Sequence, residues 1–169
     1  MVSLEENQIS IFSSNAKLKQ LLANEPMASH TTFRIGGPAD YFVMPETVEE
    51  LAEVLKLCKE KSMPYFILGN GSNLLVGDKG YRGVIIQIYK EMNHIRIEDD
   101  KVFAQAGALL SRVGTATLEA ELTGFEFAAG IPGTVVTAGS LFLSSCKRFS
   151  LLSFCSFLPA RTITVFRLH

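Results

Sequence analysis

Tryptophan is absent, cysteine is scarce, and no acidic residue occurs after Glu126. The three cysteines, Cys58, Cys146 and Cys155, form no CxxC pair and join no His/Cys cluster. Neither a disulfide framework nor a zinc site is expected from them, and a reducing cytoplasm is the default compartment. No run of ~18 uncharged apolar residues is present, so no membrane-spanning helix is expected. The first ten residues, MVSLEENQIS, hold acids and no apolar stretch, so no secretory signal peptide is expected either. A net charge of −1 provides no electrostatic drive toward nucleic acid or an anionic membrane. Ser72 has no histidine or aspartate at a spacing that suggests a nucleophilic triad.

What is present fits one packed domain. The 169 residues are 47% apolar and 20% charged, and a typical domain runs roughly 100–150 residues. The averages conceal a break. Residues 1–135 carry 12 basic against 17 acidic side chains, whereas residues 136–169 carry Lys147, Arg148, Arg161 and Arg167 against none. That last stretch also holds two of the three cysteines and five of the twelve phenylalanines. Three segments follow: a helix and lead-in over 1–29, a main domain over 30–135, and a tail over 136–169.

Along the chain, Leu18, Leu21 and Leu22 share one face of an expected helix over 14–24. Met27 to Arg34 reads as extended, and Asp40 to Met44 as a short strand. Thr47 and Glu50 stand three apart as a capping box. The helix they open runs to about Lys61 and buries Val48, Leu51, Val54, Leu55 and Cys58. After Pro64, Tyr65-Phe66-Ile67-Leu68 is an uninterrupted apolar strand of the type covered on both faces. Val84–Ile88 gives another strand, and 94–98 with 102–106 a hairpin about Asp99-Asp100. A helix from about Leu109 to Leu122 buries Leu110, Val113, Leu118 and Leu122, and Gly124 ends it. A small-residue loop, Ala128 to Gly133, comes next. The order implies a βαβ unit followed by the start of a second unit, an α+β fold.

The sharpest chemical feature is Gly69-Asn70-Gly71-Ser72-Asn73, directly after an apolar strand. Consecutive amide N–H groups in such a bend form an anion-binding concavity suited to a diphosphate. From spacing alone an ordinary tight turn is equally consistent. A dinucleotide fingerprint of the Rossmann type is not met, because Leu74 stands where a third glycine belongs and no helix opens there. A second constellation is His30-Thr31-Thr32-Phe33-Arg34-Ile35-Gly36-Gly37-Pro38-Ala39-Asp40, where Arg34 could face a phosphate or sit in a surface salt bridge. The third is Phe125 to Thr134. Its small residues Gly130 and Gly133, with Ile131, Pro132 and Thr134, let a flat ring lie against main chain, or serve as a structural crossing. His94 and His169 read as structural.

In this order and at these separations, HTTFRIGGPAD, LGNGSNLLV and GFEFAAGIPGTV resemble the UDP-N-acetylenolpyruvoylglucosamine reductases, the MurB family of peptidoglycan synthesis. The resemblance covers about residues 14–135. It implies an FAD-binding PCMH-type domain, of the vanillyl-alcohol-oxidase and MurB kind, with a βαβ first subdomain and an incomplete second. It also implies FAD as cofactor. Gly69, Asn70, Gly71, Ser72, Asn73 and Leu74 match the loop that holds the FAD pyrophosphate. Gly130, Ile131, Pro132, Gly133 and Thr134 match the segment lining the flavin, and Arg34 belongs to the first motif.

In the family, NADPH reduces the flavin, which then delivers hydride to the enolpyruvyl double bond of UDP-N-acetylglucosamine enolpyruvate. A serine, a carboxylate and an arginine assist. Members continue after GIPGTV with Gly-Gly-Ala and an Asn-Ala-Gly-Ala motif. Here Val136-Thr137-Ala138-Gly139-Ser140 follows, and the simplest account is a frameshifted or artificially ended reading frame. No catalytic residue is expected in this chain, and Arg161, in unmatched sequence, inherits no role. Two other readings stand beside the reductase: another flavoprotein oxidoreductase of the same fold, and a non-enzymatic FAD-binding or non-binding fragment.

Overall fold

The computed structural model describes residues 20–137 and the backbone of a strand at 163–167. Two small sheets organise these residues. The first has four strands in the order β1-β2-β4-β3, where β1 is Leu21–Pro26, β2 Pro38–Val43, β3 Tyr65–Leu68 and β4 Tyr81–Gln87. The second has three, β5 (Ile95–Glu98), β6 (Lys101–Gln105) and β7 (Ile163–Arg167). Helix α1 spans Val48–Glu60, α2 spans Leu110–Glu119, and α3 is a single turn at Glu126–Ala129. Among the described residues no helix is long and apolar enough to cross a membrane.

The βαβ unit is β2-α1-β3, with both strands parallel to β4 and on either side of it. A central parallel strand is covered on both faces, which requires a continuous apolar run. In β4, Val84, Ile85 and Ile86 are all buried. Their side chains alternate between two cores, as the pleat dictates. Val84 and Ile86 join Tyr41, Val43 and the α1 residues Leu51, Val54, Leu57 and Cys58. Ile85 joins Met27, Ala39, Phe42 and Leu68 on the opposite face. A third core lies under the second sheet, where Val102 and Ala104 meet Leu110, Val113, Phe125, Ala128 and Val135.

Helix α1 starts as its sequence demands. The Glu50 amide donates to Thr47 Oγ1 at 3.2 Å, and the Glu50 carboxylate accepts from the Glu46 amide at 2.8 Å. The reciprocal arm of the box thus closes on Glu46. At the start of α3 the Glu126 carboxylate accepts the Gly124 amide at 2.8 and 3.0 Å. Those backbone hydrogen bonds hold its pKa below the ordinary carboxylate value.

Several sequence expectations change. Residues from Leu21 onward are strand, since Leu21 pairs with Val43 and Leu22 with Phe42 across an antiparallel ladder. Leu18 and the rest of the expected 14–24 helix lie outside the described residues. Three leucines in so short a window are a weak periodic signal, and partner strand β2 overrides it. Met27–Ser29 is a 3₁₀ turn within the stretch expected to be extended. Strand β3 lies at a sheet edge, so Tyr65 and Phe66 are exposed at 37% and 42%. Leu118 points outward at 76% exposure, while Thr117 takes the buried position. Leu57 is fully part of the first core although it was not expected there, and the expected Leu55 is half-buried against the same core. Ala128 and Ala129 belong to α3, not to a loop.

Two outcomes follow for this scaffold. Thr47→Ala removes the cap of α1 and is expected to cost about 1 kcal/mol in urea unfolding. Cys58 is fully buried, and loss of hydration pushes its thiol from 9.0 up to about 11. The fold favours the neutral thiol, so this contribution is complete below pH 9 and disappears as pH rises through about 11. Iodoacetamide at pH 8 should therefore label Cys58 at least about tenfold more slowly in folded than in urea-unfolded protein. Peptide mass spectrometry reads the difference at this one cysteine.

Candidate cofactor site

The site begins where β3 ends. Parallel strands present their carboxyl ends as a natural ligand edge, because the chain must leave the sheet there and leaves main chain uncovered. Leu68 is buried beneath, its carbonyl accepts the Ile88 amide at 3.0 Å, and Gly69 opens the bend. The Gly69 carbonyl accepts Gln87 Nε2 at 3.3 Å, so a β4 side chain holds the first residue of the loop. Leu74, half-buried, packs against the core of Met27 and Phe42 and anchors the far end.

Inside the loop, Asn70 Oδ1 accepts the Ser72 amide at 3.4 Å and stands 3.0 Å from Ser72 Oγ. An asparagine bonded to the residue two ahead mimics a backbone turn and stiffens it. Ser72 Oγ also reaches the Pro132 carbonyl at 2.8 Å, across sixty residues of sequence. A hydroxyl has one proton, and the shorter contact to Pro132 is the one it serves best. The amide N–H groups of Asn70, Gly71 and Asn73 find no acceptor among the described residues. Three unspent donors on one stiff bend match an anion with several oxygens.

The glycines are required for a reason the sequence did not disclose. Gly69 and Gly71 are buried. A Cβ on Gly69 would stand 2.1 Å from Thr134 Oγ1 and 2.8 Å from Thr137 Oγ1. Gly71 has φ +72°, and a Cβ there would stand 2.0 Å from the His30 carbonyl oxygen. The close approach at these two positions is to the protein's own chain. Thr32 N–H donates to the Gly71 carbonyl at 3.0 Å and seals that contact.

The second wall is the segment after α3. Gly130 has open space on the side where a Cβ would project, and the nearest atoms at Gly133 are 3.8 Å away. Exposed Gly130 therefore leaves bare main chain facing outward, as a planar ring requires, while Gly133 is buried with Ser72 and Thr137 at contact distance. Ile131 spends part of its surface on the third core, and Thr134 is wholly buried, 3.2 Å from Thr137 Oγ1. The segment is fastened by Leu110 N–H to Gly133 O at 3.0 Å, and by Val135 and Val136 amides to Ala108 and Ala106 carbonyls at 2.9 Å.

Of the residues selected from sequence, Gly69 to Leu74 and Pro132 to Thr134 are thus brought together. Arg34 is not joined to them: it sits exposed at φ +54°, its amide closing a turn onto Thr31 O. Its guanidinium has no ion-pair partner among the described residues. His30 and Gln87 were missed as site residues. A glutamine interrupting the apolar run VIIQI was the available signal for Gln87; His30 stood in a quoted motif without a role.

Comparison with known proteins agrees with this geometry. The family model described as "FAD binding domain" matches residues 39–140. The UDP-N-acetylenolpyruvoylglucosamine reductase of Clostridioides difficile (strain 630) is 53% identical over 117 residues, which are 69% of this chain and 38% of that protein. The solved structure of the same-named reductase (MurB) from Thermus caldophilus matches at 34% identity and a TM-score of 0.51, covering 69% of this chain and 39% of that one. A variant of Phl p 4, a glucose dehydrogenase, matches at 11% identity and a TM-score of 0.52, over 66% of this chain and 26% of its own, a likeness of fold alone. The chain therefore spans about two fifths of the reductases it matches. The resemblance read from the three motifs and the expected α+β flavin-domain fold both stand, and the chain belongs to the FAD binding domain family.

Proposed function

We propose that this chain is the FAD-holding front part of a UDP-N-acetylenolpyruvoylglucosamine reductase. The observation that carries the reading is the meeting of the two loops through Ser72 Oγ and the Pro132 carbonyl at 2.8 Å. A single extended ligand can touch both walls only because they are this close. The residues fit FAD. Unspent amides of Asn70, Gly71 and Asn73 would hold a pyrophosphate, and the exposed main chain at Gly130 would lie against the isoalloxazine ring or its linker. Arg34, exposed and without an ion-pair partner among the described residues, is assigned to the cofactor by its place in the first motif and not by contact with the two loops.

FAD supplies the hydride relay between NADPH and the enolpyruvyl double bond of UDP-N-acetylglucosamine enolpyruvate. The residues of this chain bind and orient: they hold phosphate oxygens on main-chain N–H groups and give the ring a thin wall. None of them is assigned a proton-transfer role, and the serine, carboxylate and arginine of the reaction lie outside the matched part. Binding without turnover is therefore the expected behaviour of this chain. In the cell the reading places it in the cytoplasm, in cell-wall biogenesis with its consequences for cell shape and division. NADPH and the UDP-sugar are partners of the full-length enzyme.

Purified chain mixed with FAD should retain flavin absorbance through gel filtration and quench flavin fluorescence. It should not oxidise NADPH in the presence of the UDP-sugar. Colourless, unquenched protein would overturn the cofactor assignment. Gly69→Ala drives a methyl into Thr134 Oγ1, separates the walls, and is expected to weaken FAD at least about tenfold, roughly 1.4 kcal/mol. Ser72→Ala removes the cross-loop hydrogen bond and should weaken FAD by about fivefold, near the value of one neutral hydrogen bond.

A further inference from the structure

Beneath the 69–73 loop lies a polar pair that the cofactor reading does not use. His30 Nε2 stands 2.8 Å from Glu25 Oε1, with both side chains mostly covered at 17% and 23% exposure. The imidazole stacks on Phe42 with ring centroids 4.0 Å apart and planes at 28°. Phe42 is fully buried in the core beside Met27 and Leu68. One ring is thus fixed in two ways, by a hydrogen bond in its plane and an aromatic face against it.

The fixed residue is the one whose carbonyl limits the loop. The His30 carbonyl oxygen lies where a Gly71 Cβ would be, and two residues on, Thr32 N–H holds the Gly71 carbonyl at 3.0 Å. The His30 amide is itself tied back to Met27 O at 2.9 Å, and Met27 is wholly buried. The direction of the Gly71 peptide, and with it the aim of the neighbouring free amides, depends on where residues 30–32 sit. Strand β1 brings Glu25, and β2 brings Phe42.

We infer that His30, clamped between Glu25 and Phe42, is a positioning residue that sets the aim of the phosphate-facing amides of the 69–73 loop. It touches no cofactor; it acts through the Gly71 peptide. The inference rests on the FAD reading for its binding readout, but its effect on the loop exists without any ligand.

The experiment uses the full chain with His30→Ala, His30→Gln and Glu25→Ala, each checked for native circular dichroism. Glutamine keeps a donor for Glu25 and a flat amide for Phe42. Amide hydrogen exchange is measured on the ligand-free proteins, and FAD affinity by flavin fluorescence. In His30→Ala, exchange of the Thr32 amide, which is bonded to the Gly71 carbonyl, should rise about tenfold while that of β4 stays unchanged, and FAD should weaken by a similar factor. His30→Gln should restore both to within about threefold, and Glu25→Ala should lie between them. If His30→Ala folds and leaves Thr32 exchange unaltered, or if His30→Gln is as impaired as His30→Ala, the positioning role is wrong. Wild-type chain that fails to take up FAD overturns the cofactor reading instead, while the exchange measurement still decides the role of His30. Should His30→Ala not fold, the Glu25→Ala and His30→Gln comparisons carry the decision by the same criteria.

Discussion

Two segments sixty residues apart come within one hydrogen bond of each other, and that approach is possible only because Gly69 and Gly71 have no side chains. On one side stands Thr134 Oγ1, on the other the His30 carbonyl oxygen. The loop is wedged between a first unit that supplies residues 30–32 and a second that supplies 132–137. Any Cβ at these positions would push the walls apart by more than rotamer adjustment absorbs, because at Gly71 the obstacle is backbone. The unspent amides of the bend are thus a by-product of a fit within the chain itself. A bend free to wander would show the same residues without the same aim.

The second wall depends on a zipper of main chain. Residues 133–136 run against 106–110, with a bridge between Leu109 and Thr134 and amides of Leu110, Val135 and Val136 all donating across it. Through it the third core, under Val135, is joined to the first, where Val136 packs beside Ala106. The site therefore sits on a seam between two packed units. Small-molecule sites favour such seams, since neither unit alone can supply both walls. Rigidity on both sides also lowers the ordering cost of binding, which strengthens a ligand without adding a contact.

Much of this was legible in the residues. The apolar run of β4, the capping box of α1 and the hairpin about Asp99-Asp100 each follow a local rule, and local rules survive folding. The bend after β3 was legible as a bend from its glycines and asparagine, while its spacing alone left an ordinary tight turn equally consistent. What escaped was decided by partners far away in sequence. Leu21 and Leu22 are strand because Val43 and Phe42 lie opposite them, which no window around residue 21 contains. Tyr65 and Phe66 read as interior because they are apolar, yet β3 ends its sheet and leaves them exposed. Edge and centre are properties of strand order, and composition does not carry strand order.

The role of His30 escaped for a deeper reason. A histidine in a polar, glycine-rich stretch has no periodicity and no motif spacing to argue from. Its meaning depends on Glu25, five residues earlier on one strand, and Phe42, twelve residues later on the next. Each of those belongs to an antiparallel pair whose register places Glu25 opposite Ala39 and Phe42 opposite Leu22. Had the β1–β2 ladder slipped by one residue, every side chain would change face and Glu25 would turn away from the ring. Register is held by what packs on each face, and on this face that is Met27, Ala39 and Phe42. An apolar core thus sets the position of a polar pair, the pair sets a carbonyl, and the carbonyl sets the bend.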